Sequence, residues 1–562
     1  MVSIAVLNPV AARRAVPRAP LAPRPSRLDG LTVGLYWNLK AGGDAALDRI
    51  EALLARDIPG IRFRRYSGSV GARPTMNADD AAAIKAECDV LVGSVADTGG
   101  STSWLAHDMA QVERLGIPSV ALVAAGMSDE WRHSAAAFGV AGLRGATIAH
   151  GLASTDRHDV EELTGSAMDA IVRALVEPPE PDADDAGGTD ATEPRLLSVS
   201  RADPLDAIDA VNELYLERGW SDGFPIVAPT ERAVERMLGG TRRDPSDVVA
   251  VLEPSFGIAT LDKIAINAVM AGAAPAHLPI LIAAVEAVAD PRFMLRDATA
   301  TTGIRALLLL VNGPIRHQIG LNCGTNALGP GAPSRVNTAI GRAMRLIYMN
   351  IGGVYSGEVD VGTVGSPAKY SLCAGENEEA SPWPPYHVEV GYPAEASTVT
   401  AKTVFGITET HIRRENTPEA IVDLAAVAAS GTGAHIGWVT GGTGDPDKGV
   451  EAQPQSFWFI CPEHAAFLAA AGWDKPRIRR YLYDHARVSA ARILERYAVL
   501  RDDNGNWLKN GHLQWLETQG DLRVPVVSSP DDFRLAVVGG PGPRGLWLWG
   551  HEEAVTKPVA TE

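Results

Sequence analysis

The sequence predicts an α/β protein with two domains, and three observations lead to this prediction. An apolar run ends at Val92, a turn rich in glycine and hydroxyl residues follows, and a helical pattern and a second apolar run (119–125) come next. This order of strand, loop, helix and strand is typical of a βαβ unit. Residues 177–190 are acidic and rich in proline and glycine, which predicts a flexible linker. The chain has 562 residues, enough for more than one domain.

These observations divide the chain into three parts. We expect an N-terminal α/β domain, Rossmann-like or flavodoxin-like, over residues 1–176. The linker is predicted over 177–200, and a larger α/β or α+β domain over 201–562. Within the N-terminal domain the patterns predict strands at 31–36, 61–66 and 89–92 and helices at 44–54, 77–87 and 160–176.

Composition restricts the class of protein and its partners. The formal net charge of −17 argues against a nucleic-acid-binding surface. No run approaches the roughly 20 apolar residues of a membrane-spanning helix, so no membrane partner is predicted. The chain has four widely spaced cysteines without a CxxC pair, which fits a reducing cytoplasm: Cys88, Cys323, Cys373 and Cys461.

The stretch 93–108 is the strongest candidate for a functional loop. It follows an apolar strand and opens a helix that Ser101, Thr102 or Ser103 can cap. Ligands of open α/β sheets bind beyond the carboxyl ends of the strands, and amides at a helix N-terminus attract anions. Lys40, just past the first predicted strand, is a further candidate for an anion contact, with a solvated lysine as the alternative.

This stretch resembles the signature loop of the UGSC family, selenoprotein-like relatives of the substrate-binding subunits of glycine and proline reductases. The matching residues are Val95, Asp97, Gly99, Thr102, Trp104, His107, Asp108 and Gly116-Ile117-Pro118. Two redox positions differ: Thr98 stands where the family has selenocysteine or cysteine, and Ser101 where it has the second cysteine. A hydroxyl is a weak nucleophile unless a base activates it. Residues 219–230 resemble the start of the large domain that is often joined to UGSC proteins.

The resemblance implies small organic substrates and cleavage at a carbon–heteroatom bond, while the missing redox pair points away from a reductase. We therefore expect a non-redox lyase or hydratase. The residues expected to take part in catalysis are Thr98, Ser101, His107 and Asp108, with His107 as general acid/base; a packed helix histidine is the alternative. The expected substrate contacts in this stretch are Asp97, Gly99, Gly100, Thr102 and Trp104.

Two loops of the second region could complete the site. The loop 320–331 supplies glycine amides and asparagine side chains, and its candidate ligand contacts are Asn322, Asn326, Gly329 and Gly331. A tight structural loop is the alternative. Arg544, in a glycine-rich loop after a predicted strand, could pair with an anion. We expect the signature loop and the 320–331 loop to form one composite site, because sites at domain interfaces take one wall from each domain.

A cluster of acidic residues and a histidine occupies 375–387. Glu376, Glu378 and His387 could bind a divalent metal or supply an acid/base pair, and an acidic turn facing water is the alternative. The sequence names no other cofactor. The competing functional hypothesis is a catalytically silent UGSC binding or assembly domain fused to a metal-dependent enzyme domain. In either case we expect a small-molecule substrate and a homo-oligomer.

Overall fold

The computed structural model shows a mixed α/β protein, as the sequence predicts. It describes residues 1–68, 74–153, 155–178, 194–411, 417–431, 455–496, 498, 501, 507, 511–520, 522–527, 529–550 and 552–560. The central part of the predicted linker, 179–193, lies outside the described residues.

A five-stranded parallel sheet forms the centre of the N-terminal domain. After β1 (Val2–Leu7), its strands are β2 (Thr32–Trp37), β3 (Arg62–Ser67), β4 (Val90–Ala96), β5 (Ser119–Ala124) and β6 (Gly145–Ile148). Its helices are α1 (Gly43–Asp57), α2 (Ala78–Glu87), α3 (Gly99–Arg114), α4 (Ser128–Ala137) and α5 (Arg157–Val176). The strand order β3-β2-β4-β5-β6 is the flavodoxin-like order.

Helices cover both faces of this sheet, which explains the apolar runs of its central strands. Every residue of β2 and β4 is buried, as expected for parallel strands between two helical layers. Val33 and Leu35 belong to the core on one face, whereas Tyr36 belongs to the core on the other. The strand order reverses direction between β2 and β4, so the carboxyl ends of these two strands flank the crevice where such folds bind ligands.

The first strand does not join this sheet. β1 pairs antiparallel with β7 (Leu196–Arg201), and the Leu7 amide donates to the carbonyl of Pro229 at 2.9 Å. Val6 and Leu7 are buried in the core of the second region. Residues 196–200, at the end of the predicted linker 177–200, belong to strand β7. The boundaries 1–176 and 201–562 stay predictions, but the N-terminal segment packs on the second region.

The second region contains two four-stranded mixed sheets. The first has the order β11-β10-β12-β19, the second β13-β18-β14-β17, and β8 with β9 and β15 with β16 form two-stranded sheets. The strands are β8 (Val248–Leu252), β9 (Gly257–Thr260), β10 (Ala306–Asn312), β11 (Cys373–Gly375), β12 (Thr398–Val404), β13 (Gly406–His411), β14 (Ser456–Ile460), β15 (Arg487–Ser489), β16 (Arg523–Pro525), β17 (Phe533–Val537), β18 (Arg544–Trp549) and β19 (Val555–Pro558).

Apolar helices build the main core of the second region against the first of these sheets. Residues of α8, α9 and α12 join residues of β10 and β12 in a single buried cluster. The described helices are α6 (Pro204–Glu217), α7 (Glu231–Leu238), α8 (Leu261–Met270), α9 (Leu278–Val288), α10 (Leu295–Thr299), α11 (Ile315–Gln318), α12 (Arg335–Asn350), α13 (Tyr386–Glu389), α14 (Pro418–Ala429), α15 (Pro462–Ala470), α16 (Lys475–His485), α17 (Ala490–Arg496) and α18 (Gly511–Thr518). Within the described ranges, no helix has the length and apolar character needed to cross a membrane.

Candidate active site between the two regions

A cavity of about 450 Å³ lies where the carboxyl ends of β2 and β4 face the loop that follows α10. We call it the interdomain cavity. Residues of the N-terminal domain form one wall: Asn38, Lys40, Thr75, Thr98, Gly100, Ser101 and Trp104. Residues of the second region form the other: Asp297, Ala300, Thr301, Thr302, Gly303, Ile304, Arg305, Phe405 and Trp549. The cavity therefore occupies the switch point of the parallel sheet.

The two hydroxyls at the family's redox positions bind one another at the start of α3. Thr98 is the N-cap residue, and its hydroxyl lies 2.9 Å from that of Ser101. The Ser101 hydroxyl also accepts from the Thr98 amide at 3.1 Å. Both side chains thus satisfy the first turn of the helix. Gly100 lines the cavity beside them, so the positive end of the α3 dipole faces the cavity.

Lys40 brings a cation to the same wall. Its ammonium lies 3.8 Å from Asp97, whose side chain is only 1% exposed, while that of Lys40 is 30% exposed. Asp97 also accepts from the amide of Leu152 at 3.3 Å. The indole of Trp37 donates to the Lys40 carbonyl at 2.7 Å, which fixes the backbone at the end of β2. Lys40 can therefore reach a ligand while Asp97 stays beneath it.

Arg305 supplies a second cation from the opposite wall. Its guanidinium lies 4.4 Å from the centre of the Phe405 ring and 3.2 Å from Glu552, and it also donates to the carbonyl of Asp297. The Asp297 carboxylate accepts from the indole of Trp104, with 3.2 Å to each oxygen. The interdomain cavity thus combines two cations with one carboxylate in its walls.

The two walls approach most closely at Gly99. A Cβ atom at this position would lie 2.5 Å from the amide nitrogen of Thr301 and 2.7 Å from the carbonyl carbon of Ala300. Any side chain larger than the hydrogen atom of glycine therefore cannot fit at position 99 without moving the backbone. At Gly100 the nearest atom to a Cβ, the Ala300 oxygen, would be 3.6 Å away, an ordinary contact.

A buried polar network holds the second region to α3 and α4 behind the cavity. Arg296 is 1% exposed and donates to the Ser103 hydroxyl and to the Pro254 carbonyl, both at 2.8 Å. The Ser103 hydroxyl lies 2.7 Å from that of Ser134, which donates to Glu130 at 2.8 Å. Burial raises the pKa of Glu130 to about 8, although the hydrogen bond from Ser134 and the charge of Arg296 oppose this shift.

The structure does not place His107 or Asp108 in the cavity wall. Asp108 is fully buried and accepts from the Tyr36 hydroxyl at 3.0 Å, the Thr75 hydroxyl at 2.7 Å and the Met76 amide at 3.1 Å. It thereby positions Thr75, which does line the cavity. The His107 ring lies 3.2 Å from Asp108 and packs edge-on against Trp104. Thr102 is also buried outside the wall.

The 320–331 loop lies outside the wall as well. The side chain of Asn322 donates to the Thr325 carbonyl and the Ser334 hydroxyl, both at 3.0 Å. Asn326 donates to the Pro330 carbonyl at 3.0 Å, and a Cβ at Gly329 would clash with the Asn326 side chain. These contacts correspond to the structural alternative for the loop, whose Gly331 adopts a positive φ of 121°. The position opposite the signature loop, which was predicted for the 320–331 loop, is occupied by the loop 297–305.

Arg544 and the acidic cluster are also separate from the cavity. Arg544 forms an ion pair with Glu409. Glu376 is buried and accepts from Asn312 at 2.6 Å and from the Tyr386 amide at 2.8 Å. Glu378 pairs with Arg316 at 3.0 Å and lies 3.9 Å from His387, which is buried. Among the described residues, no group of three His, Cys, Asp or Glu side chains could hold a metal ion. The predicted turn facing water is also wrong for Glu376 and His387.

Several wall residues were not predicted from the sequence. They are Asn38, Thr75, Asp297, Thr301, Arg305, Phe405 and Trp549. The polar run 297–303 before an apolar strand was the available signal for the opposite wall. Nothing local indicates Phe405 or Trp549, because each lies at the end of a strand far along the chain.

The parallel sheet and its strand order define the N-terminal part as a doubly wound α/β domain with a cavity at its switch point. The UGSC family model matches residues 5–177. This match confirms the resemblance to the UGSC family seen in the signature loop. A search of curated proteins found no match to the chain.

Proposed function

We propose that the protein is a non-redox enzyme of the lyase or hydratase type that acts on a small organic acid in the interdomain cavity. The observation that carries this proposal is the convergence of Lys40, Arg305 and the N-terminus of α3 on one cavity of about 450 Å³. Ammonium and guanidinium groups and helix amides all favour a carboxylate ligand. The volume suits a small organic molecule.

Asp297 and Lys40 supply the acid/base groups of this proposal. With the substrate carboxylate held by Arg305 and the helix amides, Asp297 takes the proton from the neighbouring carbon. The electron pair of that bond forms the double bond and expels the leaving hydroxide or amine, which Lys40 protonates. The amides of α3 stabilise the charge that develops on the carboxylate. Thr98 and Ser101 orient polar groups of the substrate. His107 does not touch the substrate and takes part only by packing against the Trp104 ring.

Conservative variants test these roles. A panel of small hydroxy, amino and unsaturated acids would be screened for binding by calorimetry and for double-bond formation by ultraviolet absorbance. Lys40→Gln and Arg305→Gln should each weaken binding at least about tenfold, equal to about 1.4 kcal/mol. Asp297→Asn keeps an acceptor for Trp104 and should abolish turnover while binding persists. Lys85→Gln, on the exposed face of α2, is the matched control.

A further variant separates this proposal from the expectation, drawn from the sequence alone, that the 320–331 loop forms part of the site. Asn326→Ala, in a loop outside the cavity wall, should leave turnover unchanged. Full activity in Asp297→Asn, or unchanged binding in both cation variants, would refute the assignment of the interdomain cavity.

A silent binding or assembly domain is the second candidate, and one observation favours it. Three residues of α3 contact the second region directly. Trp104 contacts Asp297, Ser103 contacts Arg296, and Gly99 contacts the backbone of residues 300–301. Under this hypothesis the panel acids bind without turnover, and elemental analysis of purified protein finds a stoichiometric metal. Cytoplasmic localisation, a homo-oligomer and the absence of nucleic-acid and membrane partners stay predictions from the sequence.

A further inference from the structure

A second, larger cavity of about 990 Å³ lies between the N-terminal segment and the second region. Among the described residues, none lines both this cavity and the interdomain cavity, and we call it the N-segment cavity. Its lining comes from residues 8–13, Arg195, the end of α6 and the turn 219–223, Lys263 of α8, Met349 of α12, and residues 355–358.

The wall formed by the N-terminal segment is held in place by α8. Lys263 donates to the carbonyl of Asn8 at 2.7 Å, and Asn267 donates to that of Pro9 at 3.2 Å. The side chain of Asn8 accepts from the amide of Val10 at 2.8 Å. The backbone of Arg13 forms an isolated antiparallel β-bridge with that of Gly257. The cavity is therefore built from fixed backbone rather than from a loose terminus.

The side chains around this cavity carry an excess of positive charge. Four cationic residues line it: Arg13, Arg195, Arg218 and Lys263. Two of the described acidic residues line it, and one of these, Asp222, accepts from Nε and one terminal nitrogen of Arg342, each at 2.8 Å. The other is Glu358, at an exposed position. A cation-rich cavity contrasts with the net charge of −17 for the whole chain.

Two of these cations form no ion pair with a described residue. Within the part of the chain that the structure describes, neither Lys263 nor Arg13 takes part in an ion pair, whereas Arg195 pairs with Asp262 at 3.7 Å. Burial lowers the pKa of Lys263 to about 8; the nearby Asp262 opposes this and Arg195 adds to it. Bringing cations together out of water costs free energy unless an anion compensates the charge. A bound anion would supply that compensation.

The cavity also has an apolar side. Trp220 and Met349 are each 6% exposed, and they line the cavity together with Leu216 and Tyr355. The Arg218 guanidinium lies 5.0 Å from the centre of the Trp220 ring. The volume is much larger than an inorganic anion needs and is at the upper end of the range for organic ligands.

We propose that the N-segment cavity binds an organic phosphate of nucleotide size. Arg13 and Lys263 would hold the phosphate groups, because guanidinium pairs phosphate through two hydrogen bonds and lysine as a point charge. The apolar part of the ligand would lie against Trp220 and Met349. This site is separate from the proposed small-acid site and does not depend on it.

Calorimetry with ATP, inorganic pyrophosphate and adenosine tests the proposal on the full chain. We expect ATP to bind more tightly than pyrophosphate, and adenosine to bind weakest. Arg13→Gln and Lys263→Gln should each weaken ATP binding at least about tenfold. Arg232→Gln, on the exposed face of α7, and Lys40→Gln, in the interdomain cavity, should leave it unchanged.

Each outcome decides a part of the proposal. Absence of ATP and pyrophosphate binding, or ATP binding that neither cavity variant weakens, would overturn it. Loss of ATP binding in Lys40→Gln would assign the phosphate to the interdomain cavity instead. Equal affinity for ATP and pyrophosphate would overturn the role of Trp220 and Met349. If Lys263→Gln does not fold, as judged by circular dichroism, Arg13→Gln alone carries the test.

Discussion

Replacing Gly99 by alanine should separate the two walls of the interdomain cavity. The added Cβ would lie 2.5 Å from the Thr301 nitrogen and 2.7 Å from the Ala300 carbon. Ordinary contacts between such atoms are at about 3.5 Å or more, so one wall must move by about 1 Å. Both neighbouring atoms belong to the backbone, and no side chain can rotate away to relieve the contact.

The expected cost follows from this geometry. Overpacking of a well-packed contact costs about 1–3 kcal/mol, which corresponds to a change of about 5- to 150-fold in a local opening equilibrium. The cost should appear in the 300–305 loop, because α3 is anchored in the sheet domain through its buried residues Leu105 and Met109.

Hydrogen exchange resolved by residue is the appropriate assay. The Ala300 amide is bonded to the Arg296 carbonyl at 2.8 Å, and the Gly303 amide to the Thr301 hydroxyl at 2.9 Å. Both amides should exchange about 5- to 150-fold faster in Gly99→Ala, and binding of the organic acid should weaken.

Gly100→Ala is the matched control, because its Cβ would lie 3.6 Å from the Ala300 oxygen, an ordinary van der Waals contact. The control should leave exchange of the 300–305 loop within about twofold of the unaltered protein, because surface substitutions away from such contacts change stability by less than about 0.5 kcal/mol. Unchanged exchange in Gly99→Ala, or an equal effect of the two substitutions, would refute the close contact between the walls.

Three further predictions concern the whole chain. Burial raises the pKa of Glu130 to about 8, above its value of about 4.3 in the unfolded chain; its contribution to stability is therefore complete below about pH 4.3 and is lost as the pH rises through 8. The thermal midpoint should fall between pH 6.5 and 8.5 in the unaltered protein and fall less in Glu130→Gln; equal slopes would contradict this. Burial raises the pKa of all four cysteine thiols, so a folded variant with all four replaced by Ser or Ala should keep most of its turnover, whereas complete loss in Cys323→Ser alone would show a thiol mechanism. Limited proteolysis should cut first between about 177 and 200, and the fragments should still co-elute in size-exclusion chromatography because β1 pairs with β7; separation without denaturant would contradict that pairing.

The sheet domain could be predicted from the sequence because its signals are local. Each strand is an apolar run next to a turn, and Asn77 caps the helix that its position predicts. The signature loop was placed correctly at the end of β4, and Thr98, Ser101, Trp104 and Lys40 do line one cavity. Parallel strand ends meet at one edge of a sheet, so local assignments are enough to bring these residues together.

The opposite wall depends on contacts that no local pattern carries. The 297–303 and 320–331 loops both contain small polar residues near strand ends, and only tertiary packing distinguishes them. Asn326 turns its side chain back on its own loop, whereas Asp297 reaches Trp104 across 193 positions of sequence. The pairing of β1 with β7 joins Ser3 to Ser200, which are 197 positions apart, and for the same reason no sequence period predicts it.

Three residues of the signature stretch 93–108 have structural tasks at the interdomain cavity. Gly99 permits the close backbone contact, Trp104 holds the Asp297 carboxylate, and Asp108 positions Thr75. None of these tasks requires a thiol or selenol. The two cations of this cavity are Lys40, which lies within residues 5–177, and Arg305, which lies outside them. The proposed reaction therefore depends on the second region as much as on the signature loop, and a family comparison restricted to residues 5–177 would miss one wall of the candidate site.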